Sequence, residues 1–71
     1  MSFDEAKRVF DDPERLTLFD KGHSQVEDRY FCIGKVNDGI LTVRFVFRNG
    51  RIRIIGAGYW REGKKIYEEK D

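Results

Sequence analysis

Cysteine, histidine and proline each occur once in this 71-residue chain, and the scarcity of each excludes something. Cys32 has no partner for an internal disulfide, and a lone cysteine fits a reducing compartment. One histidine and one cysteine cannot close a four-ligand structural zinc site, so no metal is expected. No apolar run approaches the roughly 20 residues that span a bilayer. The start, Met1 to Glu5, lacks the apolar core of a signal peptide. No membrane association is expected, and the cytoplasm is the expected location. There is no glycine-rich phosphate loop, no Ser–His–Asp order and no carboxylate pair of the glycosidase kind. Any enzyme built on this chain would therefore work without a cofactor, through arginine electrostatics and a proton shuttle.

What remains is one small domain over residues 1–71. Below about 80 residues a single core rarely supplies more than about 3–5 kcal/mol. With neither disulfide nor metal, a partner protein is expected. Charge is unevenly distributed. Residues 1–28 hold four Lys or Arg against eight acids, a net −4, and residues 29–71 hold ten against five, a net +5. This asymmetry suggests an anionic ligand for the C-terminal part, or internal complementarity between the halves.

The pattern along the chain predicts an α+β fold, with an antiparallel sheet of about four strands and a helix at each end. Ser2-Phe3-Asp4-Glu5 has the form of a capping box. The helix it opens runs to about Phe10, with Phe3, Ala6, Val9 and Phe10 as its apolar stripe, and Pro13 ends it. Leu16 to Phe19 is a short strand. Asp20 to Asp28 is a polar connector containing His23. Strands follow over Tyr30–Val36, Ile40–Arg48 and Arg51–Ala57. A second helix covers Trp60 to Lys70, with Tyr59, Gly63, Ile66 and Tyr67 facing inward.

Asn49-Gly50 is the strongest hairpin signal, because both residues tolerate the positive φ of a type I′ turn. It pairs Arg48 with Arg51, Phe47 with Ile52, Val46 with Arg53 and Phe45 with Ile54. Side chains alternate along a strand. One face then carries Leu41, Val43, Phe45, Phe47, Ile52 and Ile54, and must be the core. The other carries Arg44, Val46, Arg48, Arg51, Arg53 and Ile55. The preceding hairpin has two readings. A two-residue turn at Asp38-Gly39 puts Tyr30 and Cys32 on the core face, and a three-residue turn puts Phe31 and Ile33 there.

Four arginines on two adjacent strands repel one another and call for an anion. The guanidinium fork fits phosphate and stacks on bases. Tyr59 and Trp60 follow directly, and basic residues interleaved with aromatics suit single-stranded RNA. A solvated face, with arginine stems lying over apolar surface, is the bland alternative. His23, with Glu27 and Asp28 nearby, is a candidate for acid–base chemistry, and Tyr67 is a candidate proton donor. Cys32, mid-strand, is expected to be an inert buried thiol.

Three stretches resemble a known family. Ser2 to Pro13 is similar to its "SFEEAxxVFxDP" segment. His23-Ser24, Glu27-Asp28-Arg29 and Ile33-Gly34 are similar to its "HSxxExRxxxIG" segment. Arg51-Ile52-Arg53-Ile54-Ile55 is similar to its "RIRIIS" strand. In this order they resemble the BrnT toxins of bacterial type II toxin–antitoxin pairs. The resemblance implies a RelE-like fold with helices packed on one face of the sheet. It implies metal-independent RNA cleavage and a BrnA-type antitoxin partner. Arg51, Arg53, His23, Glu27 and Tyr67 are then the candidate catalytic residues, with Arg29, Arg44, Arg48, Tyr59, Trp60 and Arg61 as RNA contacts.

Departures from the family pattern temper this. Members begin with an additional strand and helix ahead of the segment where this chain starts. Many have His-Thr where Phe45-Val46 stand, and an arginine where Gly58 stands. The chain is therefore expected to complete its core with a second copy, an antitoxin or upstream residues. A non-catalytic relative that binds RNA or an antitoxin is the alternative to a ribonuclease, and a domain docking an acidic protein is a third reading.

Overall fold

A computed structural model describes residues 2–23 and 26–70, with the side chain of His23 excepted. Helix α1 spans Phe3–Lys7 and tightens into a 3-10 turn, Arg8–Asp11. Strands β1 (Leu16–Phe19), β2 (Arg29–Val36), β3 (Gly39–Arg48) and β4 (Arg51–Gly58) follow, and α2 (Arg61–Glu68) closes the chain. The strands form one antiparallel sheet in sequence order. The fold is α+β, as the pattern predicts. No described helix is long and apolar enough to cross a membrane.

Ser2 caps α1, its Oγ accepting from the Glu5 N–H at 3.1 Å, which satisfies one otherwise orphaned donor. The α-helix is shorter than the expected run to Phe10, because Arg8–Asp11 wind more tightly and press onto β2. A Cβ at Gly34 would lie 2.9 Å from the Val9 carbonyl oxygen. Only glycine permits that approach.

Asn49 and Gly50 have φ of 55° and 76°, and every expected pair of their hairpin is present, from Arg48–Arg51 to Phe45–Ile54. The earlier hairpin turns one residue sooner than expected. Val36 pairs with Gly39, so the loop is Asn37-Asp38, with Asn37 at φ 56°. Gly39 lies within the strand instead, where a Cβ would meet Tyr59 Cε1 at 2.7 Å. Facing is unchanged by this shift. Tyr30 pairs with Phe45 and Cys32 with Val43, so both lie on the core face. On β4 a bulge separates Phe45–Ile54 from Arg44–Gly56, which takes Ile55 out of the strict alternation that put it with the arginines.

The core consists of Ala6, Val9, Cys32, Val36, Leu41, Val43 and Phe45, with Phe10, Tyr30 and Ile54 packed against it. Phe3 departs from the expected stripe and is 68% exposed. The apolar face is also incompletely covered. Phe47 and Ile52, assigned to the core by alternation, are 53% and 46% exposed, since α1 and its 3-10 turn reach no further than Phe45.

The second helix lies against the opposite face. Gly63 sits over Thr42, whose Oγ1 a Cβ there would strike, and the Trp60 ring packs 5.5 Å from Phe31. Thr42 and Phe31 share the arginine face by alternation. The two helices thus cover different faces, unlike the one-sided arrangement that the resemblance implies. Gly63 and Tyr67 are buried and Ile66 half-buried as expected, but Tyr59 is exposed.

Asp12 ties α2 to the rest. Its Oδ2 accepts from Tyr67 Oη at 2.6 Å and from the Lys35 N–H at 2.7 Å, and its Oδ1 accepts from the Glu14 N–H at 2.9 Å. Burial pushes the Asp12 carboxyl up, but these hydrogen bonds and the Lys70 charge outweigh it and hold the pKa below 3.8. Tyr67 is pushed up to about 12, first by its bond to Asp12 and then by burial. A depressed acid stabilises the fold above its ordinary pKa, and that contribution is lost as pH falls through the depressed value. A raised tyrosine contributes below its ordinary 10.0 and loses that contribution as pH rises toward 12. The packing of α2 should therefore stay constant between these limits and loosen at both ends. Emission from Trp60, the only tryptophan, followed against pH would check this, and Tyr67→Phe should remove the alkaline transition.

Candidate nucleic-acid interface

Alternation and register together place the arginines. On the face opposite the core, Arg29, Val46 and Arg53 form one row across β2, β3 and β4. Arg48 and Arg51 form the next, beside the Asn49-Gly50 turn. Phe31, Arg44 and Gly56 form the row on the other side. Successive rows are two residues apart, or about 7 Å. Long basic side chains lay their stems over apolar surface, and Val46, in the middle of this group, is completely buried. Arg44, Arg51 and Arg53 are exposed.

Glu27, from the connector before β2, reaches into this group. Its two carboxylate oxygens accept from Arg48 Nε and Nη2, both at 2.9 Å. A bidentate fork of this kind fixes geometry as well as charge. The bond to Arg48 is the largest cause holding the Glu27 carboxyl below its ordinary range, partial burial opposes it, and the charges of Arg48, Arg29 and Arg53 lower it further. The same bond raises Arg48. The expected compensating anion thus comes in part from the acidic N-terminal half. A carboxylate and several guanidinium groups converge on one exposed face.

The other sequence candidates are placed as follows. The backbone of His23 ends a 3-10 turn, Lys21–His23, and its side chain lies outside the described residues, as do Ser24 and Gln25. Tyr67 is not brought to the arginines. It meets Asp12 beside Lys35, six residues along β2 from Arg29, which is about 20 Å of strand. Tyr59, Trp60 and Arg61 line a groove of about 650 Å³ with Lys35, Lys64 and Lys70. These three lysines do not stand out in the sequence. Arg61 and Lys64, at i and i+3 of α2, are the available signal. Cys32 is buried, and burial pushes its thiol up, as expected of an inert cysteine.

Residues 1–63 match a family model described as "Ribonuclease toxin, BrnT, of type II toxin-antitoxin system". No curated protein sequence matches the chain.

Proposed function

The chain belongs to the BrnT family of ribonuclease toxins of type II toxin–antitoxin systems, and on that premise we propose that its arginine face binds single-stranded RNA and cleaves it without a metal. The observation that carries this reading is the Glu27 carboxylate held in the fork of Arg48 with Arg29 and Arg53 nearby.

The substrate's own 2′-oxygen attacks the adjacent phosphorus and the bond to the 5′-oxygen breaks. The products are a 2′,3′-cyclic phosphate and a 5′-hydroxyl. Arg51 and Arg53 stabilise the charge that builds on the phosphate oxygens. While paired with Arg48, Glu27 is a weak base. An incoming phosphate competes for the Arg48 fork, and Glu27, once released, regains basicity as the 2′-hydroxyl arrives beside it. His23, four residues earlier on the same connector, supplies the proton to the 5′-oxygen. Tyr67, committed to Asp12, takes no part. The family's partner is an antitoxin protein, and the same is proposed for this chain, in the cytoplasm.

Incubation with unstructured RNA, with and without a chelator, tests the reading. Cleavage to cyclic-phosphate ends that persists in chelator supports it. Binding without cleavage favours a non-catalytic relative. Absence of both leaves the docking of an acidic protein.

Salt dependence gives a second check. Each neutralised phosphate of a single strand contributes roughly −0.7 to the log–log slope. Arg44, Arg51 and Arg53 alone give about −2, at about −0.7 each. In Glu27→Gln, Arg48 is no longer tied to a carboxylate, so the slope should steepen to about −3 and RNA should bind more tightly, while cleavage falls. Unchanged slope and affinity in this variant would remove the competition between Glu27 and phosphate from the mechanism.

A further inference from the structure

Beyond the arginine rows, the same face carries a groove of about 330 Å³ between the β4 bulge and the start of α2. It lies at the small end of the usual range for ligand sites, about 300–1,000 Å³. Thr42, Arg44, Gly56, Ala57, Gly58, Tyr59 and Trp60 line it.

Its glycines differ from the others that the fold uses. Gly34 and Gly63 are each required by a neighbour that a Cβ would strike, and a Cβ at Gly39 would displace the Tyr59 ring. A Cβ at Gly56 or Gly58 would meet nothing within 4 Å, and neither residue has a positive φ. Neither backbone geometry nor packing therefore demands glycine at these positions. Glycine in a strand also weakens it. What the two glycines do provide is open space over the strand, directly across from Arg44 and Thr42. Bulges such as the one next to Gly56 are frequent beside functional sites.

The groove's other parts have recognition chemistry. Trp60 is 40% exposed. Its ring is backed by Phe31 at 5.5 Å and by Gly63, where a Cβ would come within 3.1 Å of Trp60 Cε3. An indole held in this way is a fixed stacking platform. Arg44 makes no hydrogen bond or ion pair among the described residues, so its fork is available.

We propose that this groove is a subsite for one unpaired guanine of the RNA, stacked on Trp60 with its O6/N7 edge in the fork of Arg44. Unpaired bases stack on aromatic rings, and the arginine fork fits the O6/N7 pair of guanine. The row of Arg53 is the next along the sheet, so a strand with its phosphate at Arg53 would pass directly over this groove. The inference rests on the RNA reading above and adds a base preference to it.

Short 2′-O-methyl RNA oligonucleotides, which resist 2′-oxygen attack and differ only in carrying one G, A, C or U in an otherwise common sequence, provide the test. Binding is followed by anisotropy and by quenching of Trp60. The guanine oligonucleotide should quench Trp60 and bind at least tenfold more tightly than the others. Gly58→Val and Gly56→Val fill the groove. Each should keep or raise the thermal midpoint, and each should bind all four oligonucleotides equally at the weaker affinity. Should these variants fail to fold, Arg44→Lys retains the charge and should lose the guanine preference while keeping the quench. Equal binding of all four by the native chain, without quenching, overturns the subsite and leaves the RNA reading standing. A guanine preference that survives Gly58→Val or Arg44→Lys overturns it as well. If no oligonucleotide binds at low salt, the RNA reading itself fails and the subsite falls with it.

Discussion

Replacing Arg53 with alanine should lower RNA cleavage by about 10²–10³-fold, the usual loss when one preorganised donor to a charged transition state is removed. Arg53 sits opposite Val46 in the central row of the arginine face and adds to the charge around the Glu27 carboxylate. Its side chain is exposed, and exposed substitutions usually shift stability by no more than about 0.5 kcal/mol. The thermal midpoint should therefore hardly move while activity falls. Arg53→Lys should lie between the two, since it keeps the charge and loses the planar fork. Single-turnover cleavage of a fluorescent RNA, measured beside thermal unfolding, separates these effects. Full activity in Arg53→Ala would move the chemistry away from the arginine rows, and the groove bounded by Lys35, Arg61, Lys64 and Lys70, at the α2 end of the same face, would be the next place to look.

Much of this site is legible in the sequence, for a definite reason. Asn49-Gly50 admits one tight turn, and a tight turn fixes the pairs of its hairpin as far as Phe45–Ile54. The rows of Arg48–Arg51 and Val46–Arg53 follow from that one dipeptide. Three things are not legible there. The pairing of Glu27 with Arg48 joins residues 21 apart through a connector without periodicity, so no local pattern announces it. The bulge at Ile55 changes the count of residues along β4, and alternation carries no signal for such an insertion. The side taken by α2 depends on Gly63 fitting over Thr42 and Trp60 meeting Phe31, contacts between elements that the helix's own sequence does not encode. Helical spacing marks Phe3 as core, but Phe3 is the first residue of a five-residue helix and stays 68% exposed, at the edge of a groove it shares with Ala6 and Ile54.

Phe45→Ala should destabilise the fold by about 3–5 kcal/mol, the range for deleting a buried phenylalanine. A single core in a chain of this length rarely supplies more than about 3–5 kcal/mol, so this variant should be largely unfolded at 37 °C. Phe45 is 2% exposed and is the centre of an aromatic cluster. Phe10 meets it edge-on at 5.3 Å, Tyr30 stacks on it at 5.6 Å, and Phe47 meets it edge-on at 5.5 Å. Phe47 lies one same-face step further along β3, beyond the reach of the 3-10 turn. Half of its ring is already in water, so Phe47→Ala should cost only about 1 kcal/mol. Urea unfolding of both variants at one protein concentration checks the contrast. Equal losses would mean that Phe47 is covered in solution by something other than this chain's own helices. A second copy would then show itself as a midpoint that rises with protein concentration. A midpoint independent of concentration, with the unequal losses expected here, would mean that the chain folds alone and leaves the Phe47 end of its apolar face open.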